Sequence, residues 1–395
     1  MAIPRNRIFD RTKPVTCHCV SRCVRRISLL APEERRRALH DRLTQLVRFF
    51  AIDVLEWSLL TNHFHLVAST HPDLAAHWSD QEVATRWRTL SPDYVWRRRN
   101  RIDRSLPAQP EEIAAAVADP DLIARWRCNL ADLSIFHKFL KQKIARAINL
   151  QDDVTGHCFE GRFKSIVALD EEAVIAHMVY VALNPVRASM TDSLEDYEFS
   201  SVADRVKELK TRIRNGEFAD EAGAAIRKLR ELELRPAISC DPGENIRKAK
   251  RLPDGRPNPW FGGRVPSIVE GAMLTAYLTR VDTIGRIGDG TKRGVINPSI
   301  SSPLADMGLD LLHFAPQSGA GPPDFPPPLT LAAVEGAMSR GPENPMGNFS
   351  GCRRALARAA HATGRMWILG IASFMPGDPR RRVPASDDEE CDRLG

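Results

Sequence analysis

The distribution of apolar and polar positions along the chain changes period several times. Residues 15–23 (VTCHCVSRC) mix small apolar and polar residues with a near-alternation that predicts a strand. Between Pro32 and Phe50 the apolar residues Leu39, Leu43, Leu46 and Val47 recur at helical spacing, which predicts a helix. Residues 52–60 are strand-like again, Thr61-Asn62 punctuates, and residues 63–69 form a second strand. Residues 129–148 read as an amphipathic helix carrying Lys138, Lys141, Lys143 and Arg146. The segment 156–169 (GHCFEGRFKSIVAL) is a turn leading into a strand. Asp170 then caps a helix with Glu171 and Glu172 in its first turn. That helix is expected to run to about Leu183, because Pro185 disfavours helical geometry at Asn184.

The stretch 71–127 is of another kind. It holds Trp78, Trp87, Trp96, Trp126 and the run Arg97-Arg98-Arg99, interrupted by Pro92, Pro107, Pro110 and Pro120, and reads as a helical insertion with a basic, aromatic surface. Residues 1–205, insertion included, are expected to form the main domain. Residues 206–262 are a charged helical linker followed by a Pro- and Gly-rich boundary. Residues 263–375 are expected to be a smaller, mainly helical unit, with an apolar helix near residues 268–278 and a Pro-rich loop at 315–329. The tail 376–395 (RRR, then DDEE) has a disorder-like composition.

Composition changes this picture little. The 395 residues are more than one small core needs, and 43% hydrophobic with 27% charged residues is ordinary for a globular protein. A net charge of +6 does not by itself imply a polyanion partner. Residues 1–50 are more informative, with twelve Lys/Arg against four Asp/Glu; a solvated helix face at Arg35-Arg36-Arg37 and phosphate contact both account for them. The N-terminus is polar, with Arg5 and Arg7 and no apolar run behind them, and no segment approaches a membrane span, so a cytoplasmic protein without a membrane partner is expected. Cys17, Cys19 and Cys23 lack a matching second pair and are read as small strand residues rather than a zinc site.

Two local features carry candidate chemistry. In Asn62-His63-Phe64-His65-Leu66-Val67, strand alternation sends His63 and His65 to one side and Phe64, Leu66 and Ala68 to the other, into a core. Two imidazoles side by side are half of a divalent-metal site; two satisfied surface histidines would look the same. In the segment from Met178 to Ala188, Tyr180 and Asn184 are four apart and share a helix face. A core tyrosine and a C-capping asparagine are the plainer account.

Taken together the blocks Cys17–Arg22, Thr61–Val67, Gly156–Ser165, Tyr180–Ala188 and Asp196–Ser201 resemble the single-tyrosine HUH transposases, and more narrowly the REP-associated tyrosine transposases. Trp78–Val83 and Tyr277–Arg286 are similar to the insertion and extra domain of a longer bacterial subgroup, so the resemblance covers most of the chain. Leu60-Thr61 departs from the commoner wording before the Asn-His, without removing a ligand or the nucleophile. The resemblance implies an α+β, ferredoxin-like core, an antiparallel sheet covered by helices on one face. It implies cleavage and rejoining of single-stranded or hairpin DNA through a 5′-phosphotyrosine, by a monomer or a homodimer. Tyr180 matches the nucleophile, and His63, His65 and Asn184 match the ligands of Mg²⁺ or Mn²⁺. Arg22, Lys138, Lys141, Arg162, Lys164, Arg187 and the Arg-rich first helix are candidates for DNA contact. The insertion's tryptophans either stack on unpaired bases or pack a small core, the second being preferred for most of them. His18 and His177 are read as packed histidines. A regulator that keeps the fold and binds nucleic acid is the competing function, and a metal-dependent hydrolase of another fold is a third.

Overall fold

Four strands, β1 (Val15–Arg22), β2 (Ile52–Leu59), β3 (His63–Thr70) and β4 (Lys164–Ala168), pair antiparallel in the order β2-β3-β1-β4. This is a computed structural model, which describes residues 11–103, 106–217, 229, 232–240, 274–287, 294–303 and 305, with three short strands at 349–351, 367–372 and 382–384. Helix α1 (Glu33–Val47) links β1 to β2. The insertion is five short helices: α2 (Pro72–His77), α3 (Asp80–Leu90), α4 (Tyr94–Arg99), α5 (Pro110–Val117) and α6 (Pro120–Asn129). Helices α7 (Leu133–Gln151), α8 (Glu171–Arg187), α9 (Ser201–Arg214) and α10 (Leu274–Arg286) follow. The α+β architecture with an antiparallel sheet and packed helices is the one expected.

Side chains alternate along each strand, so the sheet has two faces. Cys17, Cys19, Trp57, Phe64, Leu66 and Ala68 project to one face, where Leu39 and Leu43 of α1 and Phe136 and Leu140 of α7 cover them. Leu55 and Val67 project to the other, into a cluster with Met178, Val181 and Ala182 of α8. Helices therefore cover both faces rather than one. The reason is local: β2 is buried at every position, so neither of its faces can be left in water. Cys17, Cys19 and Cys23 are fully buried apolar residues, as the sequence reading has them.

Helix α8 starts where expected, with the Asp170 carboxylate accepting from Ala173 N at 2.8 Å. It runs past Leu183, through Pro185, to Arg187. A proline in the last turn gives up one backbone hydrogen bond; burial of Val186 and anchoring of Arg187 offset that loss. On its outer side α8 meets α10, whose Tyr277, Leu278, Val281 and Ile284 belong to the same cluster. Gly285 allows this approach, because a Cβ there would stand 2.8 Å from Leu183 Cδ2. A helix that the sequence reading assigns to a second unit thus packs on the first.

Beyond β4 the sheet continues through β5 (Phe349–Gly351), β6 (Trp367–Ala372) and β7 (Arg382–Pro384), with β5 parallel to β4, β6 parallel to β5 and β7 antiparallel to β6. The sequence reading has helix or tail in these stretches. Its Pro-rich loop at 315–329, and the part of its apolar helix before Leu274, lie outside the described residues. Within the insertion the tryptophans pack: Trp87 and Trp126 stack at 5.7 Å, and the Arg86 guanidinium lies 4.0 Å over Trp78. Arg97 corrects the expected basic surface. It is fully buried, 3.0 Å from Glu112, and donates to the carbonyls of Leu106 and Pro107. Among the described residues no helix is long and apolar enough to cross a membrane.

Candidate active site

Register decides what surrounds the two histidines. His65 faces Val20 of β1, and Val20 faces Lys164 of β4; His63 faces Arg22. Directly opposed residues share a sheet face, so Arg22, His63, His65 and Lys164 all lie on the α8 side, at the end of the sheet where β3 begins. The two imidazoles are neighbours, with ring centroids 4.9 Å apart. His65 is buried, whereas His63 is half-buried and held by a 2.5 Å hydrogen bond between its Nδ1 and Asn62 Oδ1.

Helix α8 crosses the same face and brings three polar side chains to it. The ring of Tyr180 stands edge-on to His65 at 5.7 Å and edge-on to His18 at 5.4 Å. His177, one turn earlier, lies 5.4 Å from His18. Asn184, one turn later, is buried, and its Nδ2 has no hydrogen-bond partner among the described residues. His18 itself sits mid-strand on β1, with Nε2 at 2.8 Å from Nδ1 of His65. Burial, and then the neighbouring His177, hold the pKa of His18 well below the usual imidazole value. Burial pulls that of His177 down to about 4. At neutral pH both rings are uncharged.

Of the sequence-predicted set, His63, His65 and Tyr180 come together, with Arg22 and the exposed Lys164 on the same face and Asn184 on the phenol's side of α8. Arg162 is exposed in the turn before β4. Lys138 and Lys141 belong to α7, across the sheet from the histidines, and Lys141 Nζ donates to the carbonyl of Gly161 at 2.9 Å. Arg187 departs from its expected role. It is buried, and its guanidinium donates to the carbonyls of Ile284, Ile287 and Gly294 at 2.9–3.0 Å, tying α8 to α10. The arginines of α1 are also engaged within the fold: Arg35 with Asp152, Arg36 with the carbonyls of Leu30 and Ala31, Arg37 with Glu198. His18, expected as a packed histidine, is buried and also touches His65. Nothing in a single strand's pattern shows that it lies diagonal to His65, since that depends on the β1–β3 register.

No family model and no curated protein matches the sequence. Among solved structures the chain is similar to a REP-associated tyrosine transposase bound to a REP hairpin. The identity is 13% and the TM-score 0.30, over 49% of this chain and 79% of that one.

The residues present fit a divalent cation. Two adjacent imidazoles and a carboxamide make a nitrogen and oxygen donor set, and a half-buried His63 and Tyr180 leave an open side. The buried amide donor of Asn184 has no hydrogen-bond partner among the described residues; an N–H of this kind suits a phosphate oxygen, and the atom of this side chain that would ligate a cation is Oδ1.

A second group of ligand-type residues, Asp53, His71 and Cys240, converges at the far end of β3, with candidate ligand atoms within 4.8 Å of one another. Asp53 accepts from Cys240 N at 2.8 Å and from the Ser239 hydroxyl at 3.1 Å, and lies 3.0 Å from His71 Nε2. With its carboxylate so engaged, the trio acts as a hydrogen-bonded clamp that holds residues 238–240 against β2.

Proposed function

We propose that this protein cleaves and rejoins single-stranded DNA, preferring hairpin or palindromic segments, with Tyr180 as nucleophile. The observation that carries the reading is the phenol ring of Tyr180 standing 5.7 Å from the His65 ring, on the sheet face that His63 shares. The motif resemblance of the chain adds the reaction class. His63, His65 and Asn184 would hold Mg²⁺ or Mn²⁺. Such an ion, when bound, supplies Lewis-acid polarisation of the scissile phosphate and offsets the negative charge of its transition state.

The remaining chemistry belongs to the chain. The phenol oxygen of Tyr180 attacks the scissile phosphorus. A P–O(Tyr) bond forms, the P–O3′ bond breaks, and the phenol proton is balanced by protonation of the departing 3′ oxygen. The products are a 5′-phosphotyrosine and a free 3′-hydroxyl. A second 3′-hydroxyl reverses the step and joins strands without ATP. Arg22 and Lys164, on the face of the histidines, would neutralise flanking phosphates.

The test uses labelled single-stranded oligonucleotides that fold into hairpins, incubated with the full chain and Mn²⁺ or Mg²⁺. A denaturant-stable protein–DNA adduct is expected from the unaltered protein and none from Tyr180→Phe. Adduct recovered from Tyr180→Phe would refute the nucleophile assignment. Salt-sensitive hairpin binding without cleavage would favour a regulator that keeps the fold.

A further inference from the structure

We infer that His18 is a positioning residue that holds the His65 ring with its proton on Nδ1, so that Nε2 is the nitrogen offered to a divalent cation. The inference rests on the reading of His63 and His65 as ligands.

The argument begins with register. His18 faces Val67, and His65 faces Val20, so His18 and His65 are diagonal neighbours on one sheet face, close enough for rings to meet. They do meet: His18 Nε2 lies 2.8 Å from His65 Nδ1, and the ring centroids are 5.1 Å apart. Both rings are 2% exposed. A contact of that length between two ring nitrogens needs one proton between them, and where each ring carries a single proton there are two ways to place it. If His18 donates, His65 must carry its own proton on Nε2, and neither of its nitrogens has a lone pair left for a cation. If His65 donates from Nδ1, its Nε2 keeps the lone pair. Only the second arrangement is compatible with ligation. It requires His18 to be the acceptor, with its own proton on Nδ1. A ligating histidine whose second nitrogen donates to a fixed acceptor is both oriented and made more basic.

This separates replacements of similar size. The amide oxygen of Gln reaches about where Nε2 of His lies, so His18→Gln keeps an acceptor. His18→Phe keeps the ring and its packing against Tyr180 and His177 and loses the acceptor. Mn²⁺ binding to the full chain is measured by calorimetry, with thermal unfolding followed in parallel. The expected result is a loss of Mn²⁺ affinity on the order of 10- to 100-fold for His18→Phe and recovery to within a few-fold in His18→Gln. A folded His18→Phe protein with unchanged Mn²⁺ affinity would overturn the inference, and so would a His18→Gln protein as weak as His18→Phe. Should His18→Phe fail to fold, the unaltered chain decides. In protein labelled with ¹⁵N at histidine, long-range ¹H–¹⁵N correlation should show the resonance lost in His65→Gln as the Nδ1–H form, and the Nε2–H form would overturn the inference. If the unaltered chain binds no Mn²⁺, or binds it as well after His63→Ala, the ligand reading itself fails and takes this inference with it.

Discussion

His177 links the candidate site to stability. In the folded chain burial holds its pKa at about 4, against 6.5 for an ordinary imidazole. Between those two values the unfolded chain binds a proton that the folded chain does not. Stability is therefore full above about pH 6.5 and is lost as the pH falls towards 4, below which this contribution is flat. Two and a half pH units correspond to roughly 3 kcal/mol at most. His18, shifted in the same direction, adds to the trend. Thermal melts between pH 7.5 and 4.5 should show a steeper acid-side loss for the unaltered chain than for His177→Asn, which has nothing to titrate there. Parallel curves for the two proteins would show that His177 is not buried as a neutral ring.

The elements divide into those set by local pattern and those set by distant contacts. The strand ends at Val15, Ile52 and His63, and the cap at Asp170, are legible because alternation and capping act over a few residues. So is the sharing of one strand face by His63 and His65. The continuation of α8 through Pro185 is not legible, because the docking of Arg187 onto α10 outweighs a local rule. Nor is the role of Arg97. A run of three arginines reads as a solvated surface, yet the first of them meets Glu112, fifteen residues on, in a closed interior. That pair gives the insertion a polar centre beneath α4 and α5. A buried ion pair broken on one side costs about 3–5 kcal/mol, because the remaining charge has no water to turn to. Arg97→Met should lower the urea midpoint accordingly, while the paired change Arg97→Met with Glu112→Leu should recover much of the loss. A single substitution with no effect would mean that Glu112 is solvated in the folded protein.

At the scale of the molecule the question is whether the C-terminal helix α10 is a separate unit or part of the sheet's own core. Its Tyr277 hydroxyl donates to Glu56 Oε2 at 2.8 Å, in the middle of β2. The same carboxylate accepts from the Ser201 hydroxyl and lies 3.4 Å from Arg205, both on α9. Burial pushes the pKa of Glu56 up, and Arg205, Ser201 and Tyr277 oppose that shift. One buried carboxylate therefore joins β2, α9 and α10, the first and last of which are more than two hundred residues apart in sequence. Together with Gly285 against Leu183 and Gly294 against the Val186 carbonyl, it makes α10 a cover for the helix that carries Tyr180. Removing one hydroxyl from this network leaves a buried carboxylate oxygen short of a donor, at a cost of about 1–3 kcal/mol. If α10 and the sheet fold as one body, Tyr277→Phe lowers the midpoint of the single unfolding transition without changing its denaturant slope. If α10 were an independent unit, the tryptophan-reported transition of the main core would stay where it is. The first outcome would also make the support of Tyr180 depend on a segment far in sequence from the histidine pair and the tyrosine. Adduct formation on DNA would then weaken in Tyr277→Phe only as far as the fold itself weakens.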